Sequence, residues 1–148
     1  MEKINPWYVT GFSDGESAFT YSRSGNNVNL YFAIRLNFED RDLIYRIQEY
    51  FGAGKIYVQR PTPPTKHSGH SQTSFYYRIS KISELRKVID HFDKYPLQGK
   101  KAMAYSIWRK MAELKQNYRK PDREEIGRLA NSISFLTNKN NKIMKRNG

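Results

Sequence analysis

Three groups of residues in this chain of 148 have the types and spacing to do chemistry. The first is Asp14-Gly15-Glu16, which ends an apolar stretch beginning at Trp7. If that stretch is helical, Glu16 sits at its C-terminal end, where a carboxylate faces the negative pole of the peptide dipoles and calls for a cation. The second is Lys100-Lys101, which follows Pro96-Leu97-Gln98-Gly99 and suits a phosphate anchor or plain surface charge. The third is His67 and His70, spaced as a metal pair but without further ligands nearby, so that polar loop residues are the simpler reading.

The elements that must position these groups begin with the stretch itself. Residues i and i+4 lie one above the other on a helix face, so Gly11 and Gly15 form a strip without side chains onto which a second helix can pack. Each glycine inside a helix costs about 1 kcal/mol relative to alanine, which favours a use for the space. An ordinary surface turn after a short helix is the alternative.

Composition limits the classes of function. The length suits one domain with a real core. A formal net charge of +12 and a pI near 9.9 point to an anionic partner, nucleic acid before an acidic membrane surface. No apolar run reaches transmembrane length, and the N-terminus lacks the plan of a secretory signal, so a membrane role is not expected. The absence of cysteine excludes disulfides and thiolate metal sites and fits a reducing compartment. No organellar targeting peptide is visible, which agrees with translation inside a mitochondrion or chloroplast or in a bacterial or archaeal cytoplasm.

Alternation and periodicity define the remaining elements. Phe19, Tyr21 and Arg23 alternate with Ala18, Thr20, Ser22 and Ser24, and Gly25-Asn26-Asn27 signals a turn. From Val28 to Phe38, Leu30, Phe32, Ile34, Leu36 and Phe38 share one face. Asp40 can cap a helix over 41–51, whose Leu43, Ile44, Ile47 and Phe51 form a stripe, and Gly52-Ala53-Gly54 ends it. A second hairpin pairs residues 55–60 with 74–80 across a long loop rich in Pro, Ser, Thr, Gly and His, able to reach a flanking partner. Ser83 can cap the next helix, which Pro96 stops. Further helices follow over about 100–118 and from Pro121-Asp122 to about Leu136. The order predicts an α+β domain over residues 1–136, with a four-stranded antiparallel sheet, helices on its apolar face, and a polar tail over 137–148.

The other face of that sheet carries chemistry of its own. The first hairpin places Thr20, Ser22, Ser24, Asn29, Tyr31, Arg35 and Asn37 there, and the second adds Lys55, Tyr57, Gln59, Tyr76, Arg78 and Ser80. It holds no acid, whereas a merely solvated face normally mixes in Asp and Glu. Arg, Lys, Gln, Asn, Ser and Tyr supply the donors and acceptors that meet phosphates and major-groove base edges.

Two blocks in this order resemble a known family. Residues 7–16, Trp-Tyr-Val-Thr-Gly-Phe-Ser-Asp-Gly-Glu, are similar to the motif of LAGLIDADG homing endonucleases, and residues 90–101, ending Gln98-Gly99-Lys100-Lys101, resemble their second recurring block. The resemblance runs to about residue 135 and implies site-specific cleavage of double-stranded DNA by a saddle-shaped sheet in the major groove. With one copy of the motif it implies a homodimer on a partly palindromic site, with Gly11, Gly15, Trp7, Phe12 and Asp14 at the interface. It makes Glu16 the metal-binding acid, helped by the Gly15 carbonyl, with Mg2+ or another divalent cation such as Mn2+ as cofactor. Lys100 matches the lysine near the cleaved phosphate and Lys101 is the second candidate, whereas Asp14 matches an acid of structural role.

The chain departs from the family pattern at Ser17, where glycine is usual and the helix exit is expected to change, and at Ala33, where a small apolar residue weakens base readout. An RNA maturase acting on intron RNA and a non-catalytic DNA-binding regulator are the competing functions. Retention of Glu16 and Lys100 favours the nuclease, and the lack of flanking splice elements favours intron encoding.

Overall fold

The computed structural model describes residues 2–61, Pro63, 72–117 and 122–146, with side chains described as far as Thr137. The expected histidine pair and most of the long loop lie outside those residues. The chain runs α1 (Pro6–Glu16), β1 (Ser17–Ser24), β2 (Asn27–Asn37), a 3-10 turn (Phe38–Asp40), α2 (Arg41–Phe51), β3 (Lys55–Gln59), β4 (Ser74–Ile79), α3 (Ile82–Lys94), α4 (Lys101–Asn117) and α5 (Arg123–Arg146). The strands form one antiparallel sheet in the order β1-β2-β4-β3, as the repeated helix and hairpin pattern implies.

Alternation set the faces correctly in the centre of the sheet. Leu30, Phe32, Ile34, Phe75, Tyr77 and Ile79 are buried under the helices. Phe19 is the hub of that layer, its ring 5.2 Å from Phe92 of α3, 5.1 Å from Tyr105 and 5.5 Å from Trp108 of α4. Burying side chains of this size contributes about 2 kcal/mol or more apiece. Trp108 also donates Nε1–H to the Thr20 carbonyl at 3.1 Å, which fixes α4 to β1. At the far end of β1, Arg23 on the apolar side escapes burial by donating to Asn131 of α5, and its guanidinium lies 5.4 Å from the Tyr21 ring centre.

Several sequence expectations need correction. Asp40 precedes α2 but makes no capping hydrogen bond, because Phe38–Asp40 forms its own 3-10 turn leading into the helix. Lys81, not Ser83, occupies the N-cap of α3, and no side chain caps it. Phe38 is exposed where the alternation buries it, because the strand ends at Asn37 and the ring instead supports the Arg41 guanidinium at 4.0 Å. Val58 is exposed because β3 is an edge strand. Asp122 does cap α5, accepting from the N–H groups of Glu124 and Glu125, but the helix continues to Arg146, beyond the expected end at Leu136.

Gly54 is one position where only glycine fits. Its φ is +82°, and a Cβ would lie 2.6 Å from Ile79 and 2.8 Å from the Arg78 carbonyl. The bare backbone lets α2 turn into β3 directly against β4, and the Tyr77 hydroxyl ties the turn by donating to the Ala53 carbonyl at 2.6 Å.

A buried histidine of α3 joins that helix to α1 and α2. Thr10 Oγ1 donates to the Tyr95 carbonyl at 2.7 Å, so at its 3.0 Å contact with His91 it must accept from Nε2–H. His91 Nδ1 then accepts from the Tyr50 hydroxyl at 2.7 Å. Burial pulls the His91 imidazolium down to about 4 from its ordinary 6.5. The native state therefore holds His91 neutral while the unfolded chain takes up a proton, so stability falls as pH drops from 6.5 toward 4. Each pH unit in that window removes up to about 1.4 kcal/mol. Thermal melts of wild type against His91→Gln measure this, and the variant should show a shallower loss of melting temperature over that window. Equal slopes would contradict the assignment.

Candidate nucleic-acid interface and acidic centre

Helix α1 is apolar on two sides. Asn5 caps it by accepting from the Trp7 N–H at 2.8 Å, and Pro6 opens its first turn, where a missing N–H costs nothing. Val9, Thr10, Ser13 and the capping Ser17 face inward. On the opposite side Trp7 and Tyr8 are 54% and 50% exposed, followed by exposed Gly11 and Gly15. A Cβ added at either glycine would meet nothing within 4 Å. The strip is therefore open among the described residues, with Phe12 half-buried beside it and stacked on Tyr8 at 6.3 Å. Tyr8 belongs to the same face and was missed by the sequence reading, although it stands four residues before Phe12.

The helix passes into β1 without an intervening residue. Ser17 adopts φ −92° and ψ 166°, ordinary extended backbone, and its Oγ donates back to the Ser13 carbonyl at 2.7 Å. The exit therefore requires no glycine, and the departure at Ser17 leaves the geometry intact. Ser17 pairs with Ile34, one register position from Arg35, so Glu16 is held where the helical layer meets the β2 side of the sheet.

Glu16 is exposed and makes no ion pair among the described residues. Asp14, two residues earlier, behaves differently. Its Oδ2 accepts from the Gln98 N–H at 2.9 Å and its Oδ1 from the Gly99 N–H at 3.1 Å. Both oxygens are thus engaged inside the chain, a use that leaves little of this carboxylate for a partner or a metal. A Cβ at Gly99 would lie 3.2 Å from Asp14 Oδ1, so a side chain there would make that carboxylate shift by a few tenths of an ångström.

This clamp delivers the two lysines. Lys100 is exposed just before α4, and Lys101 is its half-buried first residue. Desolvation lowers the proton affinity of Lys101, opposed by the charge of Glu16, reinforced by Lys100 and opposed again by Asp14. Glu16 is thus the carboxylate to which the Lys101 ammonium couples most strongly. Among the described residues no three His, Asp or Glu come together, so a cation at Glu16 would need oxygens from elsewhere. The Gly15 carbonyl fits that need, since carbonyls of a last helical turn lack intrahelical partners. Hard carboxylate and carbonyl oxygens suit Mg2+, which keeps several waters and shares a site with phosphate.

The open sheet face is organised in cross-strand pairs. Thr20 lies opposite Tyr31 and Ser22 opposite Asn29, with Ser24 at the hairpin end. Arg35 lies opposite Tyr76, which in turn faces Tyr57, while Arg78 lies between Ala33 and Lys55. The Arg78 guanidinium covers the Tyr31 ring at 3.8 Å and that of Arg35 lies 4.7 Å from the Tyr76 ring centre. Arg35 Nη1 also donates to Gln59 and, at 3.3 Å, to Ser74. Ser74, opposite both Asn37 and Gln59, belongs to the face as well, although as the first residue of the expected strand it is absent from the set expected there. Ser80 follows β4 and is exposed. The strand residues of this face include no acid; Glu84 of α3 borders the Lys55 and Arg78 end and accepts from the Gly54 N–H at 3.0 Å.

Known proteins share this arrangement. The chain is 32% identical over 126 residues to an uncharacterized 50.9 kDa protein in ND4 intron 1 of Podospora anserina, and 28% identical over 123 residues to a probable intron-encoded endonuclease 3 of Neurospora crassa. Those matches cover 79% and 78% of this chain but 26% and 21% of the relatives, so the chain spans about a quarter of their length. Among solved structures it resembles the LAGLIDADG meganuclease I-CpaMI bound to uncleaved DNA, with TM-score 0.65 and 34% identity over 78% of this chain and 39% of that one. I-AabMI, also bound to uncleaved DNA, gives TM-score 0.71 and 33% identity over 85% of this chain and 42% of that one. The family model described as LAGLIDADG endonuclease matches residues 9–112, from the inner face of α1 through the lysine pair and most of α4, and the chain belongs to that family.

Proposed function

We propose that this chain is a site-specific endonuclease on double-stranded DNA, working as two copies paired through α1. The observation that carries the reading is Glu16: an exposed carboxylate with no ion-pair partner among the described residues, at the junction of a glycine strip and a basic sheet face. Members of the family generally depend on a divalent metal, and Mg2+ or Mn2+ is the cation we assign. Bound by Glu16 and the Gly15 carbonyl, it would supply Lewis-acid polarisation of the scissile phosphate and neutralise charge on the leaving oxygen.

The chain's own residues do the rest. The sheet side chains bind and orient the duplex, with Arg and Lys on phosphates and the planar groups on base edges. Lys101, half-buried beside Glu16, neutralises charge developing on the phosphate oxygens and orients the attacking water, while exposed Lys100 anchors the backbone. Asp14 touches none of the reacting atoms; it positions the lysines through Gln98 and Gly99. Cutting both strands requires two such centres. Pairing α1 with its symmetry mate across Gly11 and Gly15 supplies them, with Trp7, Tyr8 and Phe12 packing around the contact. Encoding within an organellar intron is the setting we infer, in line with the names of the relatives.

Incubating the protein with Mg2+ and a library of duplexes, then sequencing cut ends, tests the activity. Sharp cuts at one long site are expected, with a loss of at least about 100-fold in Glu16→Gln that retains DNA binding. Retention of duplex without cleavage in any divalent metal would favour a binding regulator instead. Asp14→Ala should leave duplex affinity within a few-fold, slow cleavage more than tenfold, and destabilise the fold by about 2 kcal/mol through two lost charge-assisted hydrogen bonds. Sedimentation tests the pairing: a dimer is expected on DNA, and Gly11→Leu should abolish it by filling the strip, whereas a wild-type monomer under all conditions would contradict the model.

A further inference from the structure

We infer that Arg35 and Arg78 are the two guanine-reading residues of this sheet, and that they read guanines two base pairs apart. The inference rests on the duplex-binding role proposed above and assigns its sequence preference. Of the cationic side chains on the face, these two are held against aromatic rings in opposite sense. Arg78 of β4 lies over Tyr31 of β2, and Arg35 of β2 lies near Tyr76 of β4. A guanidinium held against a ring has lost much of its conformational freedom before any ligand arrives, so less is lost on binding.

Arg35 is constrained furthest. Gln59 and Ser74 both accept from its Nη1, and among the described residues the Nε and Nη2 hydrogens, which form one donor edge, have no acceptor. Two parallel donors match the O6 and N7 acceptors that guanine alone presents together in the major groove. Lys55, by contrast, is an exposed point charge on an edge strand and suits a phosphate.

Register gives the spacing. Arg78 lies opposite Ala33 and Arg35 opposite Tyr76, so the two arginines occupy consecutive outward positions along the central pair of strands. Two residues of antiparallel strand advance about 6.8 Å. Two base-pair steps of duplex advance the same distance, at about 3.4 Å each. Ala33, at the outward position between Tyr31 and Arg35, carries only a methyl group, so nothing long competes with either guanidinium there.

Selection from a randomised duplex pool without divalent metal, followed by sequencing of the retained DNA, tests this. Wild type should enrich, in each half-site of the paired copies, two G·C positions separated by one intervening base pair, each preferred by roughly 10-fold to 100-fold. Arg35→Lys and Arg78→Lys keep the charge but lose the planar fork, and each should flatten one of the two positions while leaving the other. Gln59→Ala should weaken the Arg35 position alone. If both lysine variants keep the wild-type preferences, or lower retention of every sequence alike, the arginines are phosphate anchors and the inference fails while duplex binding stands. If wild type retains no duplex over a matched single-stranded pool, the duplex-binding role fails with it.

Discussion

Everything at the acidic centre depends on the fact that α1 enters β1 with no residue between them. A helix joined to a strand through a loop can rotate about that loop, and its last side chain wanders by several ångströms. Here Ser17 is both the C-cap of the helix and the first paired residue of the sheet, and its hydroxyl is tied to Ser13. The Glu16 backbone therefore inherits the rigidity of a four-stranded sheet. Such placement matters in the role proposed for it, because a misplacement of about 1 Å can cost 100-fold in rate.

That junction asks α1 to do two things that conflict in a single chain. The helix must be held firmly enough to fix Glu16, yet one whole side must stay bare. Two interior glycines cost about 2 kcal/mol together, and the exposed Trp7 and Tyr8 gain little from the chain's own core. The inner side offsets this with specific polar links in place of sheer apolar area. Thr10 reaches both His91 and Tyr95, and Asp14 reaches the turn that starts α4. Those links are directional, so they set the rotation of the helix about its axis. The glycine strip then faces outward by necessity.

Much of this was legible in sequence where a local pattern carried it. The alternation of β2 and the stripes of α2 and α3 gave the correct elements and inner faces, because periodicity is imposed by burial on one side. α2 begins at Arg41 behind Asp40 as expected, but the Asp40 side chain makes no capping bond, and α3 begins at Ile82, ahead of Ser83, since a residue of capping type does not reveal which backbone N–H groups it will meet. The Asp14 contact with Gln98 and Gly99 spans more than eighty residues and leaves no local signature. The pairing of each arginine with a tyrosine depends on register across β2 and β4, which composition alone does not fix. The sheet-face residues other than Ser74 followed from parity; how they hold one another did not.

The distribution of charge follows from the same layering. On the helical side, some acids are ion-paired: Arg109 binds Asp93 at 2.7 Å and also Glu113, and Arg86 binds Asp90 at 3.0 Å. The Tyr105 hydroxyl adds a bond to Asp93 at 2.8 Å, and these contacts hold the Asp93 carboxyl below the usual range. Surface pairs of this kind contribute little stability individually. They set acids against arginines locally, whereas the strand face holds basic residues and no acid of its own. Arg35, Lys55 and Arg78 stand on that face, and Lys100 and Lys101 add two further positive charges at the start of α4. A polyanion approaching such a surface is drawn to the face where the side chains are already ordered, and that order lets a long-range attraction become a choice among sequences.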